Sequence, residues 1–179
     1  YKELKVINLP SGVSLAENLG EVFVLKTCQR TMIVGLGMTP DEYLTSYRGV
    51  RDMLHGNQAY EFLLETICGL KSQLVAENEI VAQFRDAYKA FMTLPFRNTQ
   101  ISNVIEKLFK DSKEVRTKHL LEVGQHSYAG ITRKMIHQFY NEGEVLVLGS
   151  GKLADDVVKL LMKRYNVFVS ARNEEKLDE

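Results

Sequence analysis

Cysteine is scarce in this 179-residue chain: only Cys28 and Cys68 occur, too few for the disulfide framework of a secreted domain. No further cysteine or close histidine completes a zinc-ligand spacing, so no metal site is expected. Long apolar runs are missing too. Nothing approaches the roughly 18 residues that span a bilayer, and the opening YKELKVINLP lacks the apolar centre of a signal peptide, so a cytoplasmic protein is expected. Excess charge of either sign is absent, with 23 Lys and Arg against 23 Asp and Glu, and this removes any whole-chain electrostatic argument for a polyanionic partner. Internal repeats and low-complexity stretches are also lacking. What remains, 45% hydrophobic and 26% charged residues, is ordinary globular composition with enough apolar surface for a real core. One local imbalance stands out: from Arg97 to Lys118 six basic residues face three acidic ones, the pattern of a solvated helix face that could meet a few phosphates.

Three short β-rich runs open the chain: LKVINL (Leu4 to Leu9), EVFVLKTC (Glu21 to Cys28) and TMIVGLG (Thr31 to Gly37). They predict a small sheet, with Cys28 at a strand end. Helices follow. Ala59, Phe62, Leu63, Thr66, Ile67 and Leu70 share one helical face, and Gly69 ends or kinks that helix. A second stripe runs through Ile80, Phe84, Ala87, Tyr88 and Phe91 before Pro95, and a third through Ile101, Val104, Ile105, Leu108 and Phe109. A fourth helix, about Gln125 to Tyr140, presents Tyr128, Ile131, Met135 and Phe139 and meets a composition change at Asn141-Glu142-Gly143. The expected domains are therefore residues 1–141 and 142–179. The second begins EVLVLGSGKLADDVVKLLMKRYNVFVSARN, a strand, glycine turn, amphipathic helix and strand, or one βαβ unit. A complete doubly wound domain has several more strands, so the chain reads as a fragment. The fold class is α/β: an N-terminal α+β catalytic domain with a small sheet and long helices, then the first βαβ unit of a Rossmann-type domain.

Gly149, Gly151 and Ala154 form G-x-G-x-x-A directly after VLVL and directly before a helix. Glycines there let a backbone approach a pyrophosphate, and the helix start offers unpaired N–H groups. No carboxylate follows the second strand, which runs Val169-Ser170-Ala171-Arg172-Asn173. An arginine with hydroxyl and amide neighbours suits the extra phosphate of NADP. Cys28 alone would be a small buried hydrophobe as readily as a nucleophile. Its neighbours favour chemistry: Arg30 supports a thiolate or pairs a carboxylate, and Thr27 offers a hydrogen bond. Cys68, within a helix, is packing. His55, before Gly56, is either a solvated loop histidine or an acid or base for the cysteine. His119, His126 and His137 have no partner spacing. Glu77 and Glu79 suit the N-terminus of the second helix as favourable charges.

The run Thr27-Cys-Gln-Arg-Thr31 resembles the T-C-N-R-T signature of glutamyl-tRNA reductases, which surrounds that family's catalytic cysteine. Gly69 to Tyr88, GLKSQLVAENEIVAQFRDAY, is similar to the family's G-L-D-S-L-V-L-G-E-P-Q-I-L-G-Q-V segment; Val115-Arg116-Thr117 with Ser127-Tyr128-Ala129, and the VLVLGSG turn, complete the match in order. The resemblance implies that Cys28 attacks the ester of glutamyl-tRNA to form a thioester, which NADPH reduces to glutamate-1-semialdehyde, the entry to tetrapyrrole synthesis. It implies that Thr27, Arg30, Ser72, Glu77 and Glu79 meet the glutamyl group, and that Gly149, Ser150, Gly151, Lys152, Ala154 and Arg172 hold the cofactor. It further implies a homodimer and transfer of product to the glutamate-1-semialdehyde aminomutase. Several positions depart from the pattern: Gln29 stands for Asn, Met32 for Glu, Ala76-Glu-Asn-Glu79 for Gly-Glu-Pro-Gln, and His55 is one residue out of register with the family's active-site histidine. These departures leave open a reductase-like protein that binds a ligand or haem without turnover.

Overall fold

The computed structural model describes residues 1–16, 21–38, 43–44, 52–121, 123 and 127–172. Their contacts divide the chain into two compact units, Tyr1–Gly124 and Gln125–Glu179.

In the first unit, strands β1 (Leu4–Pro10), β2 (Phe23–Lys26), β3 (Arg30–Leu36) and β4 (Asp52–His55) form an antiparallel sheet in the order β2-β3-β1-β4. Side-chain alternation sorts the apolar residues to its two faces. Leu4, Val6, Met32 and Val34 point to one side, where α1 (Gly56–Ile67), α2 (Glu79–Met92) and α3 (Thr99–His119) cover them. Ile7, Leu9 and Ile33 point to the other, where Val13, Leu15, Tyr43 and Leu44 pack. The three helical stripes read from the sequence supply the core: Ala59, Leu63 and Ile67 from α1, Ile80, Phe84 and Phe91 from α2, and Ile101, Ile105 and Leu108 from α3 are buried. Phe23 of β2 lies 6.1 Å from the Phe84 ring and 6.0 Å, edge-on, from Phe91, fixing α2 over that strand. Leu70, placed on the α1 stripe by spacing, is instead exposed, because α1 stops at Ile67 and Gly69 turns the chain at φ +77.

Strand β4 is a feature the sequence pattern does not reveal. Four residues, DMLH, carry no alternation, and they pair as an edge strand through backbone bonds to β1, with His55 opposite Lys5. His55 is therefore the end of a strand and the N-cap position of α1, in place of the expected turn.

The second unit contains α4 (Tyr128–Phe139), β5 (Glu144–Leu148), α5 (Lys152–Leu161) and β6 (Asn166–Ser170), with β5 and β6 parallel from Glu144–Asn166 to Leu148–Ser170. The composition change at Asn141 does not coincide with the break in contacts, because α4 packs against α5. Tyr165 donates its hydroxyl to Tyr140 O at 2.7 Å and Arg164 Nε reaches Asn141 O at 2.7 Å, tying the end of α4 to the start of β6. Of α4 only Ala129 is buried; Met135 and Phe139 of its apolar stripe are exposed.

Candidate active site

A tight connection between β2 and β3 displays Cys28. The Thr27 N–H donates to Arg30 O at 2.9 Å, and the Thr27 hydroxyl donates to the same oxygen at 3.2 Å. That hydroxyl also accepts from the N–H groups of Gln29 (3.2 Å) and Arg30 (3.0 Å). Its donor and both lone pairs are thus spent inside the turn. The Thr27 hydroxyl shapes the loop on which Cys28 stands exposed.

Arg30 begins β3 and reaches across to the connection between α1 and α2, donating from a terminal nitrogen to Lys71 O at 2.7 Å. Burial draws its guanidinium below the ordinary arginine value. The neighbouring Ser72 donates its hydroxyl to Glu77 Oε1 at 3.3 Å, and Glu77 Oε2 accepts the Glu79 N–H at 2.7 Å. Glu77, 8% exposed, thereby satisfies an otherwise unpaired donor at the start of α2. The Glu79 side chain opens that helix as a first-turn acid. Cys28, Arg30, Ser72 and Glu77 are brought to one end of the first unit by the β2–β3 turn and the 68–78 connection.

His55 is not among them. Arg30 pairs with Pro10 and His55 with Lys5, so the two lie five residues apart along β1, roughly 17 Å at ordinary strand rise. The edge-strand pairing of β4 holds His55 at the opposite end of the sheet, and it cannot exchange a proton with Cys28 in this arrangement.

Arg116 is the residue that sequence reasoning passed over. From α3 its guanidinium donates to Cys68 O (2.9 Å), Ala76 O (2.9 Å) and Glu77 O (3.2 Å), and also bonds Asn78 Oδ1. One planar fork clamps both ends of the connection that carries Ser72 and Glu77. The Cys68 thiol is fully buried beside it; burial pushes its pKa up, against a smaller opposing effect of the Arg116 charge, which suits packing and not reactivity. The only available sequence signal was the Val115-Arg116-Thr117 match, which assigns no partner. Gly69 makes the same connection possible: a Cβ there would lie 2.9 Å from Glu77 N and 3.0 Å from Ala76 Cα. Ala76 occupies left-handed backbone at φ +59, where the family pattern has glycine.

In the second unit the glycine turn follows β5 as expected. Gly149 has φ +124, and its N–H donates to Ser170 O of β6 at 2.8 Å. Gly151 is the N-cap of α5 without a side-chain cap, and a Cβ on either glycine would meet nothing within 4 Å. Open space above uncapped N–H groups fits a pyrophosphate. Ser150 sits in the turn, Lys152 and Ala154 in the first turn of α5, and Arg172 is exposed just past β6. Asn173 and His126 lie outside the described residues. Among the described residues no group of three His, Cys, Asp or Glu could hold a metal ion.

Residues 5–119, most of the chain, match the family model described as glutamyl-tRNAGlu reductase, N-terminal domain. The chain belongs to the glutamyl-tRNA reductase family. A glutamyl-tRNA reductase of Legionella pneumophila is 30% identical over 167 residues, covering 86% of this chain and 39% of the relative. That of Methanocaldococcus jannaschii is 25% identical over 177 residues, covering 92% and 44%. The chain thus spans less than half the length of these relatives. The solved glutamyl-tRNA reductase from Methanopyrus kandleri has the same fold over 98% of this chain and 51% of its own, with a TM-score of 0.63 at 19% identity.

Proposed function

We propose that this chain supplies the catalytic end of an NADPH-dependent glutamyl-tRNA reductase, acting through a thioester on Cys28. The observation that carries this reading is the exposed Cys28 on a self-clasped turn whose next strand begins with Arg30, joined to the Ser72–Glu77 connection. In this mechanism the Cys28 thiolate attacks the carbonyl carbon of the glutamyl ester, an S–C bond forms, and the C–O bond to the tRNA ribose breaks. The ribose oxygen leaves and takes up a proton. Arg30 has further N–H donors with which to pair the glutamyl side-chain carboxylate. Glu77 offers a fixed carboxylate to the substrate amine, and Ser72, its proton committed to Glu77, presents lone pairs as an acceptor. Gly149, Ser150, Gly151 and Lys152 would hold the NADPH pyrophosphate, with Ala154 allowing close approach and Arg172 meeting the additional phosphate; the bound cofactor supplies the hydride. The product is glutamate-1-semialdehyde for tetrapyrrole synthesis, and a homodimer that delivers it to the aminomutase in the cytoplasm belongs to the same proposal.

The reading is tested by incubating the protein with glutamyl-tRNA in the absence of NADPH and weighing the Cys28 peptide. A glutamyl adduct that disappears in Cys28→Ser is expected. No adduct from folded protein and charged tRNA would reject the nucleophile and favour a ligand-binding relative without turnover.

A further inference from the structure

The basic residues of α3 do not merely solvate a helix. A groove of about 800 Å³ runs between α2 and α3, and its charged lining is Arg85, Lys110, Lys113 and Arg116, with no carboxylate among the lining residues. Three acids of these helices are ion-paired elsewhere, Asp86 with Lys89, Asp111 with Lys107 and Glu114 with Lys118, and Glu106 accepts from the Tyr88 hydroxyl. Lys110 feels the charges of Asp111 and Glu114 at longer range, yet no ion pair holds it, Lys113 or Arg85 among the described residues. Arg116 is held by three carbonyls and an amide oxygen, so its positive charge is not neutralised. In a chain of zero net charge this is a local concentration of one sign.

We infer that this groove docks the phosphodiester backbone of the RNA that carries the acyl group, an inference that rests on the function proposed above. Lys110, Lys113 and Arg116 succeed one another every third residue, roughly 4.5 Å of rise per step, and Arg85 faces them from α2. A line of separated cations suits consecutive phosphates better than one small anion, which converging donors would enclose. The groove begins at Asn78 and Arg116, the residues that hold the Glu77 connection, so an RNA seated along it runs toward the candidate active site.

The test is fluorescence anisotropy with uncharged tRNA from 50 to 200 mM salt. Arg85→Gln, Lys110→Gln and Lys113→Gln together are compared with wild type and with Lys2→Gln, Lys134→Gln and Lys163→Gln, which remove equal charge at residues that do not line the groove. Each neutralised phosphate contributes about 0.7–0.9 to the slope of log affinity against log salt, so the groove variant, with three cations removed, is expected to lower its magnitude by about 2–3. The control variant keeps the wild-type slope. Equal slopes for both variants overturn the inference, as does displacement of the tRNA by low-millimolar inorganic phosphate, which marks a small-anion site. Acylation of Cys28 by a glutamate ester of a small alcohol is measured alongside. Its retention in the groove variant separates docking from chemistry, and its absence in wild type, with the salt effect intact, rejects the proposed function while leaving the groove assignment standing.

Discussion

Replacing Arg116 by methionine keeps the aliphatic packing and removes every donor that clamps the 68–78 connection. Three backbone carbonyls, at 2.9, 2.9 and 3.2 Å, and the Asn78 amide lose their partner together. Hydrogen bonds to a charged group are worth about 1.5–3 kcal/mol each when buried, but Arg116 is only half-buried and water can reach part of the site. About 1 kcal/mol for each carbonyl, or about 3 kcal/mol in all, is the expected loss. It should be local. The amides of Ser72 and Ala76, which both donate to Gly69 O, report it directly by hydrogen exchange. If they exchange through opening of this connection, they should exchange on the order of 100-fold faster, at 1.4 kcal/mol per tenfold. Arg116→Lys preserves charge but cannot reproduce the planar fork, so it should recover less than half of the protection. Exchange at Ser72 and Ala76 within about twofold of wild type in Arg116→Met would refute the clamp.

Opposite effects are expected at two neighbouring positions: Gly69→Ala should destabilise by at least ~2 kcal/mol, from positive φ and a backbone clash, and Ala76→Gly should stabilise by ~1 kcal/mol. Thermal denaturation checks both, and a stable Gly69→Ala would contradict the close approach. The Asp111 carboxyl is held below its ordinary value of 3.8 chiefly by the hydrogen bond from Lys107, with a smaller contribution from Tyr60. A lowered folded-state pKa means stability present above about pH 3.8 and lost as pH falls through the folded value. Melting temperature should therefore drop less steeply below pH 4 in Asp111→Asn; equal slopes would count against the pairing. Gly149→Ala should weaken NADPH binding on the order of tenfold, followed by cofactor fluorescence, because a side chain would enter the pyrophosphate's approach; unchanged binding would dissociate the turn from the cofactor.

The sequence shows best what periodicity controls. The stripes on α1, α2 and α3 and the alternation in β1 and β3 point to the observed core, since burial on one face leaves a regular mark. Strand β4 leaves none, because an edge strand of four residues is held by backbone bonds that any side chain permits. Its pairing is what carries His55 away from Cys28. The α4 stripe misleads as a guide to burial, since Met135 and Phe139 remain exposed. At the candidate site, Cys28, Arg30, Ser72 and Glu77 were nameable from their motifs, yet the division of labour was not. A threonine hydroxyl in a signature gives no hint that the turn itself consumes it, and Arg116 acts on residues 38 to 48 positions away, a relation that only folding creates.

The turn that presents Cys28 is closed by Thr27 through the main chain of Gln29, never through its amide side chain. The loop's shape is therefore indifferent to what residue 29 carries, provided an N–H is present. Exchange of asparagine for glutamine beside Cys28 becomes a silent change in architecture, and this site can drift in sequence at its most conspicuous motif while the sulfur stays where it is.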